Sequence, residues 1–159
     1  MCFGTRTAKD KGIFMKIGIK KLRDGAKIPV YGSQFAAGAD LYACIEQDMV
    51  VQPHKTVLIP TGLALELPVG YAGLIYARSG LASKRSLAPA NKVGVVDCDY
   101  RGEVCVALLN HSDEPQTVAV GERVAQLVIT PYITAEFIQK DELSDTVRGE
   151  GGFGSTDRF

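Results

Sequence analysis

The sequence predicts an all-β sandwich or barrel, and three observations carry that reading. Its apolar runs are short. Turn residues punctuate them, with Pro60, Pro68, Gly70, Gly121 and Pro131 each stopping or starting a run. Only Ser79–Arg85 (SGLASKR) reads as a helix, of one or two turns. Short strands at such spacing close into a sandwich or barrel. A chain of 159 residues supports one well-cored domain rather than two.

Residues 1–14 mix small, polar and charged side chains without periodicity, and are expected to form a flexible extension. They hold no continuous apolar core of a signal peptide, and no run in the chain has transmembrane length. Alternation begins with Met15, Ile17 and Ile19. Strands are then expected over Leu41–Ile45, Thr56–Ile59, Leu63–Leu67 and Tyr71–Ala77. Next comes GVVDCDYRGEV, residues 94–104, between apolar arms at Val93–Val96 and Val104–Leu109, a pattern that predicts a β-hairpin. Thr117–Val120, Val124–Thr130 and Ile133–Ile138 are the last expected strands. Residues 15–140 therefore form the barrel domain. Residues 141–159, glycine-rich and with little to bury, form a flexible tail.

Lys plus Arg number 18 and Asp plus Glu number 18, so the zero net charge argues against a duplex nucleic-acid surface while leaving room for a small anion pocket. Four cysteines without a C-x-x-C pair and two distant histidines argue against zinc, and the thiols are expected to be reduced in an intracellular protein. Gly149, Gly151 and Gly154 match G-x-G-x-x-G literally. The motif needs a βαβ unit around it, and only five residues follow Gly154.

Several segments carry more polar chemistry than turns require. The 97–101 tip holds Asp97, Asp99, Tyr100 and Arg101. Arg78-Ser79-Gly80 opens the short helix, where free backbone N–H groups and an arginine fork suit phosphate, although a serine there is more often only a cap. Ala37–Ala43 contributes Asp40, and Gly121–Leu127 contributes Gln126. In the tail, spaced glycines can turn N–H groups toward an anion, and Phe153 could stack on a planar group. A tail that pairs with a neighbouring subunit is a third reading.

These five segments, in this order, resemble the five motifs of the trimeric deoxyuridine triphosphatase (dUTPase) family, from about Met15 to Thr156. The resemblance implies a β jelly-roll-like subunit and a homotrimer with shared active sites. It implies hydrolysis of dUTP to dUMP and pyrophosphate with magnesium (Mg2+), clearing dUTP from the nucleotide pool and supplying dUMP for thymidylate synthesis. By position, Asp97 matches the acid that activates the attacking water, and Tyr100 the residue under the deoxyribose. Asn91 and the backbone of Gly94, Val95, Val96 and Asp97 match the uracil-reading part, with Cys105 adding a backbone contact. Arg78, Ser79, Gly80 and Gln126 match phosphate contacts, and Asp40 an acid near the metal that acts through water. Arg148, Phe153, Gly154, Ser155 and Thr156 match the tail that closes over base and γ-phosphate.

Ala77 and Asp157 depart from the common pattern, at positions whose side chains make no contact in it. The resemblance further implies a cytoplasmic enzyme whose partners are dUTP, dUMP and its own copies, without nucleic acid or membrane. The alternatives are a dCTP deaminase of the same fold and a dUTP-binding regulatory trimer.

Overall fold

The computed structural model describes residues 15–152. The expectations for the 1–14 extension and for Phe153, Gly154, Ser155 and Thr156 lie outside the described residues. Among those described, twelve strands and one helix follow each other: β1 (Gly18–Lys21), β2 (Val30–Tyr31), β3 (Ala39–Tyr42), β4 (Met49–Val51), β5 (Thr56–Pro60), β6 (Leu63–Glu66), β7 (Tyr71–Tyr76), α1 (Ser79–Arg85), β8 (Leu87–Pro89), β9 (Gly94–Val96), β10 (Cys105–Asn110), β11 (Gln116–Val118) and β12 (Arg123–Pro131). A five-stranded sheet has the order β2-β3-β12-β7-β9, and a three-stranded sheet the order β5-β10-β8. Two further pairs, β1-β6 and β11-β4, complete the set, and every pairing is antiparallel. The expected β class holds, built jelly-roll fashion from several small sheets.

The core gathers side chains from both larger sheets, with Leu41, Ile59, Leu87 and Leu108 fully buried. Strand alternation explains the division of faces. Leu41, Ile75 and Leu127 point into the core, so Asp40, Tyr76 and Gln126 point away from it. One buried polar group is structural. Asn110 donates from Nδ2 to the carbonyls of Val51 (3.0 Å) and Glu114 (2.7 Å), and its Oδ1 accepts from the N–H and hydroxyl of Ser112. A side chain satisfied on all sides pins the end of β10 to β4. Removing it would strand buried carbonyls at about 1–3 kcal/mol.

Two expectations are corrected. The 94–104 stretch is not a hairpin: β9 pairs with β7, β10 pairs with β5 and β8, and the two arms sit in different sheets. The intervening loop is a crossover, and its far end is fastened elsewhere. Val104 N–H donates to the Leu63 carbonyl at 2.8 Å, and the Thr61 hydroxyl donates to the Val104 carbonyl at 2.6 Å. Ile133–Ile138 is not a strand either. β12 ends at Pro131, and Ile133 and Phe137 stand 93% and 95% exposed, with no neighbouring strand among the described residues. The expected strand at 41–45 begins earlier, at Ala39, and β2, β4 and β8 were not anticipated.

Candidate active site

A polar row runs across the five-stranded sheet on the face turned from the core. Gln126 of β12 lies opposite Asp40 of β3 on one side and Tyr76 of β7 on the other. Asp40 is almost buried, and both its oxygens are engaged. Arg78 Nε donates to Oδ1 at 2.7 Å, and Arg123 Nη1 donates to Oδ2 at 3.2 Å. Gln126 Nε2 donates to the Ala77 carbonyl at 2.8 Å, one residue before Arg78. The amide fits because residue 38 is glycine: a Cβ there would lie 2.6 Å from Gln126 Oε1.

Arg123 reaches this face through an irregularity. It sits three residues before Gln126, so simple alternation would turn it toward the core. A register shift between Arg123 and Ala125 inserts one residue and places Arg123 opposite Tyr42, on the face of Asp40. Bulges re-aim side chains in this way. The same shift buries both Val124 and Ala125. The result is two guanidinium groups on one carboxylate, an excess of positive charge facing solvent.

Arg78 occupies the cap position before α1 in extended conformation and makes no side-chain capping bond. Ser79 and Gly80 open the helix and are exposed, so Ser79 is a first-turn residue rather than the cap. A helix of seven residues contributes little dipole, and Arg78 is the main attraction for an anion here.

At the other side, Asn91 lies in the turn before β9, with its Nδ2 against the bare backbone of Gly94. Val95 is exposed and Val96 buried in β9. Asp97 is exposed and begins a tight loop in which Tyr100 N–H donates to the Asp97 carbonyl at 3.2 Å. Tyr100 hydroxyl donates to the Glu103 carbonyl at 3.1 Å, and its ring end occupies the space a side chain at Gly102 would need. Arg101 Nη1 donates to the carbonyls of Cys98 and Tyr100. Glu103 anchors the exit, accepting from Gly62 N–H at 2.8 Å and from Arg23 at 3.0 Å. Cys98 Sγ and the Tyr132 hydroxyl are 3.4 Å apart, which ties the loop to the residue that follows β12. That hydrogen bond is the main reason the Tyr132 phenol sits above its usual range. Cys105, at the start of β10, lies opposite Pro60 and is not paired with β9, so a uracil contact from it is not built by strand pairing. Burial, then the Glu103 charge, push its thiol up, and Arg23 partly opposes them.

The two acids differ in chemical availability. Both Asp40 oxygens already carry arginine bonds, so it is engaged in holding those two cations. Among the described residues, the Asp97 side chain makes no such bond. Arg148 is exposed and folds onto its own segment, its Nε donating to the Gly151 carbonyl at 2.7 Å.

Asp40, Arg78 and Gln126 thus come together, as do Asn91 and Gly94. The chain does not bring Arg78 and Asp97 together. Val96 is level with Gly73, while Arg78 follows Tyr76 at the far end of β7. Three strand residues already separate those levels by about 10 Å. Sequence reasoning passed over Arg123 and Gly38, although both lie in segments it singled out. The pattern G-x-R-x-A-Q pointed there, but only the bulge explains how the arginine reaches Asp40.

No group of three or more His, Cys, Asp or Glu residues that could hold a metal occurs among the described residues. No helix among them is long and apolar enough to cross a membrane.

A β-rich chain with an arginine-lined polar face and, on a separate loop, a carboxylate unbonded among the described residues suits chemistry on a small anionic molecule. Comparison makes the class specific. The dUTPase family profile matches residues 24–157. A deoxyuridine 5'-triphosphate nucleotidohydrolase of Desulfitobacterium hafniense is 49% identical over 145 residues, 91% of this chain and 96% of the relative. Among solved structures, a point variant of the Staphylococcus bacteriophage 80alpha dUTPase with dUpNHpp is similar at a TM-score of 0.76 and 30% identity, covering 88% of this chain and 97% of the phage chain. A point variant of the dUTPase from phage phi11 of S. aureus, described with a structural Mg(II) ion, matches at a TM-score of 0.71 and 26% identity over 80% of this chain and 98% of its own. The chain belongs to the dUTPase family.

Proposed function

We propose that this chain hydrolyses dUTP to dUMP and pyrophosphate, with Asp97 activating the attacking water and Arg78 with Gln126 holding phosphate oxygens. The observation that carries the division of roles is the contrast between the two acids: Asp40 is saturated by Arg78 and Arg123, and Asp97 is unbonded among the described residues. A general base needs a free lone pair within reach of water. An acid held between two arginines instead orients those cations, and positioned cations stabilise charge on transferring phosphates. Tyr100, braced by the Glu103 carbonyl, supplies a fixed floor beneath the sugar that a 2′-hydroxyl would meet. Asn91 and the β9 backbone offer fixed donors and acceptors to a uracil edge, whose pattern cytosine reverses at N3 and at the 4-position.

Magnesium suits this arrangement as an ion carried on the triphosphate. It prefers phosphate oxygens and water, and it would balance the substrate's charge when bound. Asp40 would meet it through water, because both its oxygens are bonded to arginines.

Incubating dUTP, UTP, dTTP and dCTP with magnesium and scoring pyrophosphate and ammonia tests the activity. Pyrophosphate from dUTP, with the others poor substrates, is expected. A site built to hydrogen-bond its substrate discriminates by about 10⁴ or more. Equal kcat/KM for UTP and dUTP would remove Tyr100 from its role, and ammonia from dCTP would point to a deaminase.

The working unit is a homotrimer with shared sites, in the cytoplasm. The separation of Arg78 and Asp97 along β7 supports this, because a single phosphate chain cannot use both from one copy. So do the bare Ile133 and Phe137, which a neighbouring copy would cover. Arg78→Ala and Asp97→Asn subunits, each inactive alone, are expected to regain part of the activity when refolded together. No recovery in demonstrably mixed assemblies would rule out sharing.

A further inference from the structure

Arg85 is the last residue of α1, and all three of its guanidinium nitrogens donate hydrogen bonds. Its Nη1 donates to Glu122 Oε1 at 2.5 Å, its Nε to Gln116 Oε1 at 3.3 Å, and its Nη2 to the Thr117 carbonyl. The second Glu122 oxygen accepts from Ala119 N–H at 2.9 Å. Both side chains are largely covered, at 30% and 21% exposure. Glu122 is the chain neighbour of Arg123, which donates to Asp40, which accepts from Arg78. Arg78 immediately precedes α1. The bonds therefore close a ring in which the two ends of α1 are tied to consecutive residues, 122 and 123, of the turn leading into β12.

The ring matters because α1 has little else to hold it. Leu81 is its only buried residue, and its first turn has no side-chain capping bond. One apolar anchor fixes a helix in depth but leaves its tilt free. The Arg85–Glu122 pair supplies the second point. A tilt of α1 would move Arg78 relative to Gln126, and displacements of about 1 Å at a positioned group are costly.

We infer that Arg85 and Glu122 are positioning residues for the phosphate side of the site, setting how strongly it favours a triphosphate over a monophosphate. This rests on the reading of Arg78 as a phosphate contact. A salt bridge that served stability alone would lower the melting temperature without changing that preference.

The test is calorimetric titration of dUMP and of dUpNHpp into the full-length protein and into Arg78→Ala, Arg85→Met, Arg85→Lys and Glu122→Gln variants, well below each melting temperature. Arg85→Met is expected to weaken dUpNHpp about tenfold while dUMP changes less than about twofold. Arg85→Lys, which keeps a charge for Glu122 but loses the fork, should recover part of the loss. Arg85→Met combined with Glu122→Gln should be no worse than Arg85→Met, because both break one ring. If Arg85→Met does not fold, the Arg85→Lys and Glu122→Gln titrations decide. An unchanged dUpNHpp-to-dUMP ratio in the folded variants, beside a lowered melting temperature, overturns the inference. An unchanged ratio in Arg78→Ala refutes the phosphate role of Arg78 instead, and so separates the two failures.

Discussion

Asp40 sits mid-sheet with an arginine on each oxygen, whereas Asp97 stands on a loop whose bonds run mostly to its own backbone. On the Asp40 side, orientation comes from strands: β3, β12 and β7 fix the row of Asp40, Gln126 and Tyr76, and a bulge brings in Arg123. On the Asp97 side, the anchors among the described residues lie at the ends, through Cys98 with Tyr132 and through Glu103 with Gly62 and Arg23. The difference follows from what each acid is for. Cations that hold a substrate work best when locked before it arrives, since reorganisation then costs nothing at the moment of reaction. A base has to keep its lone pairs free, so it cannot be locked by the same kind of bond.

Asp97→Asn gives the largest expected effect and breaks the comparison most directly. The change keeps shape and removes basicity. A fall in kcat of about 10²–10⁴ is expected, the usual span for a lost general base. Affinity for dUpNHpp should survive or tighten slightly as repulsion from the triphosphate is relieved. Steady-state kinetics beside calorimetry separate the two quantities. Loss of binding with kcat retained would reverse the roles assigned to the two sides.

Truncation before Arg148 probes the least bonded region. The described tail makes only local bonds, such as Arg148 to the Gly151 carbonyl, and buries almost nothing. The melting temperature is therefore expected to stay within about one or two degrees, as for a terminus that contributes little packing. Turnover of dUTP should fall by about 10², because alignment and exclusion of water are lost. Binding of dUMP should change less than that of dUpNHpp. An unchanged kcat would remove the tail from catalysis.

These contrasts also explain what could be read from sequence. The β class was legible because Pro60, Pro68, Gly70 and Pro131 cut the chain into strand-length runs. The segments of the site were legible because their polar residues exceed the needs of turns. Pairing was not. Apolar arms around 97–104 look alike whether they bond each other or, as here, lie in separate sheets. Ile133–Ile138 alternates like a strand, but alternation does not provide a partner, and none stands beside it among the described residues. Arg123 was hidden by parity: counted from Gln126 it faces the core, and one inserted residue reverses that. Local pattern reports which residues prefer which face. Bulges and partners are tertiary facts.

Gly38→Ala should have the smallest effect, and it sharpens the comparison by disturbing only the locked side. Residue 38 is not in a left-handed conformation, so alanine suits its backbone, and any cost comes from contact. The new Cβ would lie 2.6 Å from Gln126 Oε1 and 3.1 Å from its Cβ and Cδ. The amide end can swing away, which forfeits the 2.8 Å bond from Nε2 to the Ala77 carbonyl. The stem can yield only by a few tenths of an ångström. A stability loss of about 1–2 kcal/mol is expected, from one hydrogen bond and mild overpacking. If Gln126 holds a phosphate oxygen, KM for dUTP should rise severalfold with kcat nearly unchanged, because ground state and transition state lose the contact alike. Urea unfolding and steady-state kinetics measure the two effects. The double variant Gly38→Ala with Gln126→Ala decides the cause, since removing the amide removes the 2.6 Å clash and leaves only the 3.1 Å approach of the two Cβ atoms. Its KM should then match that of Gln126→Ala alone. A double variant worse than Gln126→Ala would mean that Gly38 acts on the site by some route other than Gln126.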